Sequence, residues 1–238
     1  MPRYLMLAAL ALFCLYAPRA EAQAAQKSAP PTVAVLYFDY EGTTPGMEVL
    51  RKGLAQMLIT DLKPTEGVTF VERGRLEDVL KELDLASSSR VDKATAARLG
   101  KLLGARYLIV GGYFDLGTTL RIDARVVEVE TGRILDAHGA NSAADDLMGA
   151  ERQLVEALSR TLTTALPPIK TQRDDPPRKP PTRKTPARLD KATALQYSKA
   201  LDAGDKGQIE IATRELQAVI KARPDFELAV DDLAAMMQ

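Results

Sequence analysis

The amino-acid sequence predicts the α/β class: a three-layer domain with a mixed, mostly parallel sheet, accompanied by a small all-α helical-hairpin unit. Three observations predict it. Continuous apolar runs such as Val33–Phe38 are typical of strands that are buried on both faces and covered by helices. Apolar residues at helical spacing lie between those runs. A proline-rich stretch at 167–188 then separates the last helical segment from the rest of the chain.

Predicted helices separate the first three strands of the α/β domain. The strands are predicted at Val33–Phe38, Val68–Val71 and Tyr107–Val110. The helices between them are predicted at 47–62, 76–83 and 92–103, with Asp92 as the N-cap of the third and Gly104 as its left-handed end. Because helical crossovers join these strands, the strands should be parallel, with helices on both faces of the sheet.

Two further strands and a long helix complete the domain, in the order β-α-β-α-α-β-β-β-α. Apolar and charged residues alternate from Leu120 to Val126, as in a strand with one face in water. The alternation breaks at Val126–Val127, which predicts a β-bulge. A turn at Thr131–Gly132 leads to an antiparallel last strand at 134–137. The leucine stripe from 147 to 166 predicts the closing helix.

The first 22 residues have the features of a cleaved secretory signal peptide. Arg3 precedes the uncharged apolar run 5–17, and Ala20–Ala22 is an A-x-A cleavage motif. An uncleaved membrane anchor is the alternative, although the run is short for a bilayer. We therefore expect an exported, periplasmic protein, peripheral to the outer membrane at most. Residues 23–31 would form a flexible lead into the α/β domain at 32–166.

The composition excludes several classes of function. The 32 basic and 32 acidic residues cancel, whereas nucleic-acid binders usually carry a basic domain. One histidine and one cysteine are too few for a multi-histidine or thiolate metal site. The cysteine, Cys14, follows Phe13 in the predicted leader, where lipidation requires a small residue. We predict no cofactor, no metal site and no nucleic-acid partner.

Residues 167–188 are predicted to be an extended tether. Seven prolines and seven basic residues occur in these 22 positions, and proline removes the N–H groups that helices and sheets need. We favour a solvated spacer. The alternative is that its positive charge contacts anionic lipid headgroups.

Residues 189–238 are predicted to form a pair of helices that resembles a tetratricopeptide unit. The helices are predicted at 192–203 and 209–222. Positions similar to the small and bulky residues of that pattern are Ala212, Leu216 and Pro224. Leu233–Ala234 resemble the start of a further repeat. Because one repeat cannot bury its own face, the pair should dock on the α/β domain or be completed by a partner or second copy. The length of the tether favours a partner or a copy.

Several segments of the α/β domain resemble one family when they are taken in order. These segments are 33–38, 54–62, 71–80, 99–107 and 121–134. They resemble the periplasmic domain shared by the curli-secretion channel protein CsgG and the flagella-associated outer-membrane protein FlgO. The N-terminal domain of TolB is a more distant relative. The resemblance covers residues 32–137 and implies a non-catalytic envelope protein that works through protein contacts.

Two departures from the channel branch of that family argue against a pore. That branch is lipidated, whereas this sequence has no lipidation motif. It also carries extra amphipathic hairpins that enter the membrane, whereas Gly111–Leu120 is predicted here to join two strands directly.

Four residues are candidate contact residues. Asp39 ends the first strand, where open α/β sheets often place binding groups, although capping a turn is the simpler role. Glu72 and Arg73 follow the second strand and could meet a partner, although a local ion pair or the capping of backbone groups at the strand end is the simpler interpretation. Tyr197 stands in for the aromatic residue of the helical repeat. No catalytic residue is predicted, and His138 is expected to be structural.

Three hypotheses about function follow. The first is a non-enzymatic exported interaction or assembly factor for a surface structure such as a flagellar, secretion or cell-wall complex. Its partners would be envelope proteins, with a homo-oligomer as a further option. The second is a small-molecule or nucleotide-binding module at the loop 39–46, although this loop matches no phosphate-loop motif. The third is an oligomeric outer-membrane channel component.

Overall fold

The structure, a computed structural model, describes residues 29–83, 93–166 and 189–237. The predicted signal peptide, the proline-rich tether and the N-cap Asp92 lie outside these residues. Within the described ranges, no helix combines the length and the apolar character that crossing a membrane requires.

The described residues form six strands and seven helices. The strands are Thr32–Val35 (β1), Asp39–Tyr40 (β2), Thr69–Phe70 (β3), Tyr107–Leu116 (β4), Thr119–Glu128 (β5) and Ile134–Ala143 (β6). The helices of the first part are Leu50–Leu62 (α1), Arg73–Glu82 (α2), Lys93–Leu103 (α3) and Leu147–Thr164 (α4). Those of the C-terminal part are Lys191–Asp205 (α5), Ile209–Ala222 (α6) and Glu227–Met236 (α7).

All six strands belong to one mixed sheet. Its order is β3-β1-β4-β5-β6, and β2 pairs with β4 beyond the end of β1. The pairings β1–β3, β1–β4 and β2–β4 are parallel, whereas β4–β5 and β5–β6 are antiparallel. These pairings confirm the predicted α/β class and the mixed sheet; three of the five pairings are parallel, and the two antiparallel pairings are the longest. The register of β5 against β6 shifts between Val126 and Val127, which confirms the predicted bulge.

Helices cover both faces of the sheet, as predicted. Side chains alternate along the first strand, so that Val33 and Val35 belong to the core on the side of α1 and α4. Ala34 and Leu36 belong to a second core with α2 and α3. This alternation explains why the strand reads as one continuous apolar run: both of its faces are buried.

Strand β4 is longer than the sequence pattern predicts. It continues to Leu116, so the predicted connection at 111–120 is mostly strand, and the chain reverses at Gly117 with φ of +60°. Gly111 lies inside β4. A Cβ atom there would lie 2.6 Å from the ring of Phe38 and 2.1 Å from the backbone oxygen of Asp123. This glycine therefore permits close packing in a strand and does not mark a turn.

The C-terminal unit has three helices where two were predicted. Leu233–Ala234, predicted to begin a further repeat, lie within α7. The unit packs against the α/β domain chiefly through α5 and α1, and its apolar residues share one core with that domain. The C-terminal unit is thus docked on the α/β domain. The tether length had favoured a unit completed by a partner or a second copy, and the structure does not have that arrangement. The docking depends on α1, because the side of α1 that faces away from the sheet packs against α5 in a shared apolar core.

Candidate functional site

A cluster of buried charges joins the C-terminal unit to the α/β domain. It consists of Lys52 on α1, Arg73 and Glu77 on α2, and Asp202 and Asp205 on α5. We call this cluster the clasp. The layered arrangement explains why these charges are buried. Helix α1 lies between the sheet and α5 and therefore has no face in open water.

Lys52 is the centre of the clasp. Its side chain is only 7% exposed, and its ammonium nitrogen lies 2.8 Å from Asp205, 3.1 Å from Asp202 and 3.4 Å from Glu77. An ammonium group has three donors and no acceptor, so three carboxylates match it. Burial alone lowers the pKa of Lys52, but the hydrogen bond and charge of Asp205 outweigh burial and raise it. The lysine is therefore charged in the folded protein.

Arg73 closes the clasp from α2. Its guanidinium forms two hydrogen bonds to the carboxylate of Asp205, from Nη1 at 2.7 Å and from Nη2 at 2.9 Å. The same Nη1 donates to the hydroxyl of Tyr37 at 3.1 Å, and that hydroxyl donates to Glu77 at 2.6 Å. Two parallel bonds to one carboxylate are the strong form of an arginine ion pair. The clasp is a connected network in which each buried charge has a partner of opposite sign.

A second contact holds the loop between β2 and α1. Asp115, near the end of β4, accepts hydrogen bonds from the hydroxyls of Tyr40 at 2.5 Å and Thr44 at 2.7 Å, and Lys191 of α5 lies 3.4 Å away. The hydrogen bond from Tyr40 lowers the pKa of Asp115. The backbone N–H of Thr44 donates to Tyr40. The protein's own groups thus occupy the two hydroxyls and the N–H of Thr44 as donors in this loop.

A groove lies beside the clasp. Its volume is about 410 Å³, and it is lined by Asp39, Tyr40, Glu48, Val49, Arg51, Lys52 and Asp202. Both parts of the chain contribute to it, since Asp202 belongs to α5. Its lining is rich in charge of both signs.

The structure places the four predicted contact residues in two kinds of environment. Asp39 lies on β2 at the groove, and Glu72 lies exposed at the start of α2, 2.9 Å from Lys63. Arg73 and Tyr197 are internal instead. The predicted pair of Glu72 with Arg73 is absent, because α2 turns Arg73 toward Asp205 while Glu72 points to α1's end at Lys63.

Tyr197 is a core residue of the C-terminal unit. It is fully buried, its ring meets Phe226 edge-on at 5.0 Å, and its hydroxyl donates to Asp232 at 2.6 Å. Burial raises its pKa well above the ordinary value. A residue in this position stabilises the packing of α5 on α7 and is out of reach of a partner.

Sequence reasoning missed Lys52, Asp205 and Asp115. Lys52 lies on the side of α1 opposite the apolar stripe of Leu50, Leu54 and Leu58, where a charged residue is ordinary and gives no signal of burial. The aspartates give no such signal, because each stands at the end of an element where exposed acids are common.

His138 has the structural role that was expected. Its Nε2 lies 2.8 Å from the hydroxyl of Thr161, which in turn donates to Asp136 at 2.8 Å. These bonds join β6 to α4. Within the described ranges, no group of three or more histidine, cysteine, aspartate or glutamate residues has the arrangement of a metal site.

Comparison with solved structures gives matches at low identity and low TM-score. The LpoB C-terminal domain from Salmonella enterica is 16% identical, with 48% of this chain and 84% of that chain covered and a TM-score of 0.41. Lipoprotein GNA1162 from Neisseria meningitidis is 17% identical, with 56% and 99% covered and a TM-score of 0.39. TolB from Acinetobacter baumannii is 14% identical, with 59% and 30% covered and a TM-score of 0.37.

One curated protein is similar in sequence. A protein of Rhizobium meliloti (strain 1021) that carries the provisional name adenylate cyclase 3 is 24% identical over 148 residues. The match covers 59% of this chain, which spans only 22% of the length of that relative.

A family model matches the α/β domain directly. Residues 19–121 match the family described as curli production assembly/transport component CsgG. This stretch includes the first four strands, the three helices between them and the start of β5. The resemblance to the CsgG family that the sequence segments indicated is therefore confirmed, and this part of the chain is CsgG-like.

Proposed function

We propose that this chain is a non-catalytic, exported envelope protein that acts as an interaction or assembly factor for a surface structure. The observation that supports the proposal is the match of residues 19–121 to a family described by assembly and transport of curli. The surface structure would be a flagellar, secretion or cell-wall complex, and the partners would be envelope proteins.

The ion pairs and hydrogen bonds that hold the structure together are compatible with such a role. The closest ion pairs of the clasp and the contacts of Asp115 join segments of the chain to each other. Other residues remain exposed: Glu72 at the start of α2, Arg125 on the charged face of β5, and Val230 on α7. A rigid frame with several accessible surfaces suits a protein that holds partners.

Site-specific photo-crosslinking in the native envelope tests the proposal. A photoreactive amino acid would replace Glu72, Arg125 or Val230 in turn, and Tyr197 would serve as the buried control. We expect a discrete protein adduct from at least one exposed position and none from position 197. The absence of a protein adduct at all three exposed positions would refute the proposal.

A small-molecule or nucleotide-binding function is the second candidate. The groove of about 410 Å³ beside β2 lies within the usual size range of ligand sites and includes Asp39. Because saturating ligand stabilises a folded protein, a thermal-shift screen of nucleotides and envelope metabolites tests this function. No shift with any compound would exclude it for that set, and a shift that Asp39→Asn removes would support it.

The remaining candidate is an oligomeric outer-membrane channel component. It predicts that the protein in detergent extracts has the mass of a closed ring. A single-chain mass in those extracts would exclude it.

A further inference from the structure

Half of one sheet face is uncovered among the described residues. Helices α2 and α3 cover this face over β1 and the start of β4, whereas α1 and α4 cover the opposite face. Along β5 and β6, alternate side chains belong to the core under α4, and the side chains between them point to the uncovered side. We call this side of the two strands the open face; it carries Arg121, Arg125, Val127, Ile134, Ala137 and Gly139.

Helix α3 forms a wall along the open face. A Cβ atom on Gly100 of this helix would lie 2.5 Å from Val129, which follows β5, so the helix lies directly against the end of that strand. The floor beside the wall is low, because Gly139 has no side chain and the ion pair of Arg121 with Asp123 lies across it. A sheet face is normally covered by helices placed side by side. The open face thus offers the place of one further helix beside α3.

The open face and its wall are basic and apolar. Arg125 on the floor is exposed, and so are Arg98 and Lys101 on the wall. Two large apolar side chains accompany them: Leu102 of α3 is 41% exposed, and Ile134 of β6 is 51% exposed. A surface that combines bases with exposed apolar side chains fits an occupant that combines acids with apolar side chains.

The acidic residues near the open face do not cancel its positive charge. Asp123 pairs with Arg121 at 2.7 Å, and these two residues offset each other. Glu41 lies beside β4, where its carboxylate would be 3.4 Å from a Cβ atom on Gly112. The exposed charges of the neighbouring turn and of α2 occur in equal numbers of each sign: Asp78, Glu82 and Glu130 against Arg75, Lys81 and Arg133. Among the described residues, the wall and the floor therefore retain three bases against one acid.

The outer side of α7 has the complementary character. Val230, Ala234 and Met237 follow each other at intervals of four and three, so they form one stripe along the helix. Val230 is 44% and Met237 is 77% exposed. Glu227 and Asp231, one turn apart, are exposed beside this stripe. The helix contains no lysine or arginine, so its outer side is acidic and apolar.

The sizes and positions of the two surfaces agree with a contact between different copies. Helix α7 has ten residues and is about 15 Å long, and the floor from Arg121 to Val127 spans about 20 Å. Within one chain the two surfaces cannot meet. Helix α7 packs on α5 and α6, and α5 packs on α1, all on the side of the sheet opposite to the open face. A second copy supplies the helix that the first copy cannot place on its own open face.

We propose that the outer side of α7 in one copy packs on the open face of a second copy, beside α3. Val230, Ala234 and Met237 then lie over the floor, and the acidic side chains of α7 lie near Arg125 and the bases of α3. Because the two surfaces differ, each copy binds one neighbour through α7 and another through its open face, and more than two copies associate. This inference goes beyond the proposed function, because a chain can associate with itself whether or not it binds other envelope proteins.

The first test is the mass of the purified full chain in solution, measured by sedimentation velocity. We expect a mass greater than that of two chains, which decreases as salt concentration rises because part of the contact is ionic. Arg125→Glu places an acid opposite the acids of α7, and Val230→Arg places a base opposite the bases of the open face. Each variant alone should have the single-chain mass. Arg160→Glu and Glu156→Arg, at exposed positions of α4, are the matched controls and should keep the wild-type mass.

The second test mixes the two variants. The Arg125→Glu chain keeps an intact α7, and the Val230→Arg chain keeps an intact open face. One chain of each kind can therefore pair, and neither can add a further copy. An equimolar mixture should have the mass of two chains. Far-ultraviolet circular dichroism verifies that each variant is folded.

Three results would overturn the inference. One is a single-chain or two-chain mass for the wild type at every protein concentration. Another is a wild-type mass for the variant at position 125 or for the variant at position 230. The third is a mixture that has only the single-chain mass although both variants are folded.

The photo-crosslinking experiment separates this inference from the proposed function. Adducts at positions 125 and 230 that contain only this chain, with no other protein captured at any exposed position, would support self-association and refute the interaction with other envelope proteins. A single-chain mass for the wild type, combined with an adduct to a different protein at position 125 or 230, would overturn self-association. That result would leave the interaction function in place.

Discussion

Glu151 lies near the start of α4, fully buried, and neither of its carboxyl oxygens has a hydrogen-bond partner among the described residues. Burial raises its pKa well above the ordinary value, and the nearby carboxyl of Asp61 on α1 raises it further. Arg152 of the same helix opposes this shift only weakly. A buried carboxyl beside a second carboxyl is cheaper to hold neutral than charged, so burial and Asp61 both favour the protonated form of Glu151 in the folded protein.

We expect Glu151→Gln to flatten the pH dependence of stability. The unfolded chain releases this proton near its ordinary pKa of about 4.3, while the folded protein retains it. The free energy of unfolding therefore falls as pH rises, by at most about 1.4 kcal/mol per pH unit, until the folded carboxyl ionises. Glutamine cannot ionise and removes this part of the slope.

Urea unfolding of wild type and variant, at pH values from about 4.3 upward, measures this effect. Glu156→Gln is the matched control, because Glu156 lies on the same helix with a side chain that is 77% exposed. That control should keep the wild-type slope. A variant at 151 with the same slope as the wild type would show that the buried carboxyl does not hold its proton.

At the scale of secondary-structure elements, the contact of α1 with α5 depends on a glycine. A Cβ atom on Gly53 would lie 2.1 Å from the hydroxyl oxygen of Ser198 and 3.4 Å from the ring of Tyr197. Ser198 is itself buried and donates to the backbone of Ala194. The hydroxyl cannot move away without losing that bond, so the two helices approach closely only because position 53 has no side chain.

Gly53→Ala should destabilise the protein by about 1–3 kcal/mol, as overpacking in a closed contact does. Gly74→Ala in α2 is the control, because a Cβ atom there meets nothing within 4 Å. In open space the same exchange favours the helix, by up to about 1 kcal/mol. Equilibrium unfolding should thus show opposite signs for the two variants. Equal signs would contradict the close contact.

The clasp is the second determinant of this contact. Asp205→Asn leaves Lys52 and Arg73 buried with less negative charge than they need. Breaking a buried pair by removing one partner typically costs about 3–5 kcal/mol, and we expect a loss of this order in the free energy of unfolding. Asp225→Asn is the control. Asp225 pairs with Arg223 at a side chain that is 51% exposed, and exposed pairs contribute at most about 1 kcal/mol.

Acid should weaken the clasp in the same way. Burial alone raises the pKa of Asp205, but the hydrogen bonds and charge of Arg73 and then Lys52 outweigh it, and the pKa is lowered. A lowered pKa gives stability that is present above the unfolded value of about 3.9 and is lost as pH falls through the folded value. Stability measured below about pH 4 should fall less steeply in Asp205→Asn than in wild type. Equal slopes would exclude Asp205 as a source of the acid sensitivity.

At the scale of the whole molecule, the C-terminal unit and the α/β domain share one core. Leu54 and Leu58 of α1 belong to the same cluster as Tyr197 and Leu201 of α5. The tether predicted at 167–188 thus connects two parts that are already in contact. We propose that the two segments delimited by the sequence, 32–166 and 189–238, fold as one cooperative unit.

Cleavage of the tether tests this proposal. A protease site inserted into residues 167–188 would divide the chain without touching the described helices. We expect the two fragments to elute together in gel filtration, and to separate when the Asp205→Asn substitution is added. Fragments that separate without that substitution would show that the tether, and not the contact, holds the two parts together.

The β6 edge of the sheet carries side chains that occupy its backbone groups. The amide of Gln153 donates to the backbone oxygen of Asn141 at 3.2 Å, and the carboxylate of Asp136 accepts from the N–H of Ala137 at 2.8 Å. Blocked edges resist the addition of another strand.

The sequence by itself determined the α/β class, most of the element order and several local features, although it did not predict the short strand β2 or the helix α7. The bulge at Val126–Val127 and the left-handed Gly104 both appear where the pattern predicted them. These features depend on side-chain period and on the conformations that one residue allows, so neighbours in the sequence suffice to specify them. The family segments are of the same kind, since each is a short local pattern.

Only the tertiary structure decided how the parts join and which candidate residues are accessible. Lys52 and Asp205 are 153 positions apart, and nothing in the sequence near either residue indicates the other. Arg73 and Tyr197 were recognised as special from the sequence, but their roles are internal because α5 lies on α1. Long-range contacts form when buried surfaces match in shape and charge, and this match exists only after the elements have folded and met.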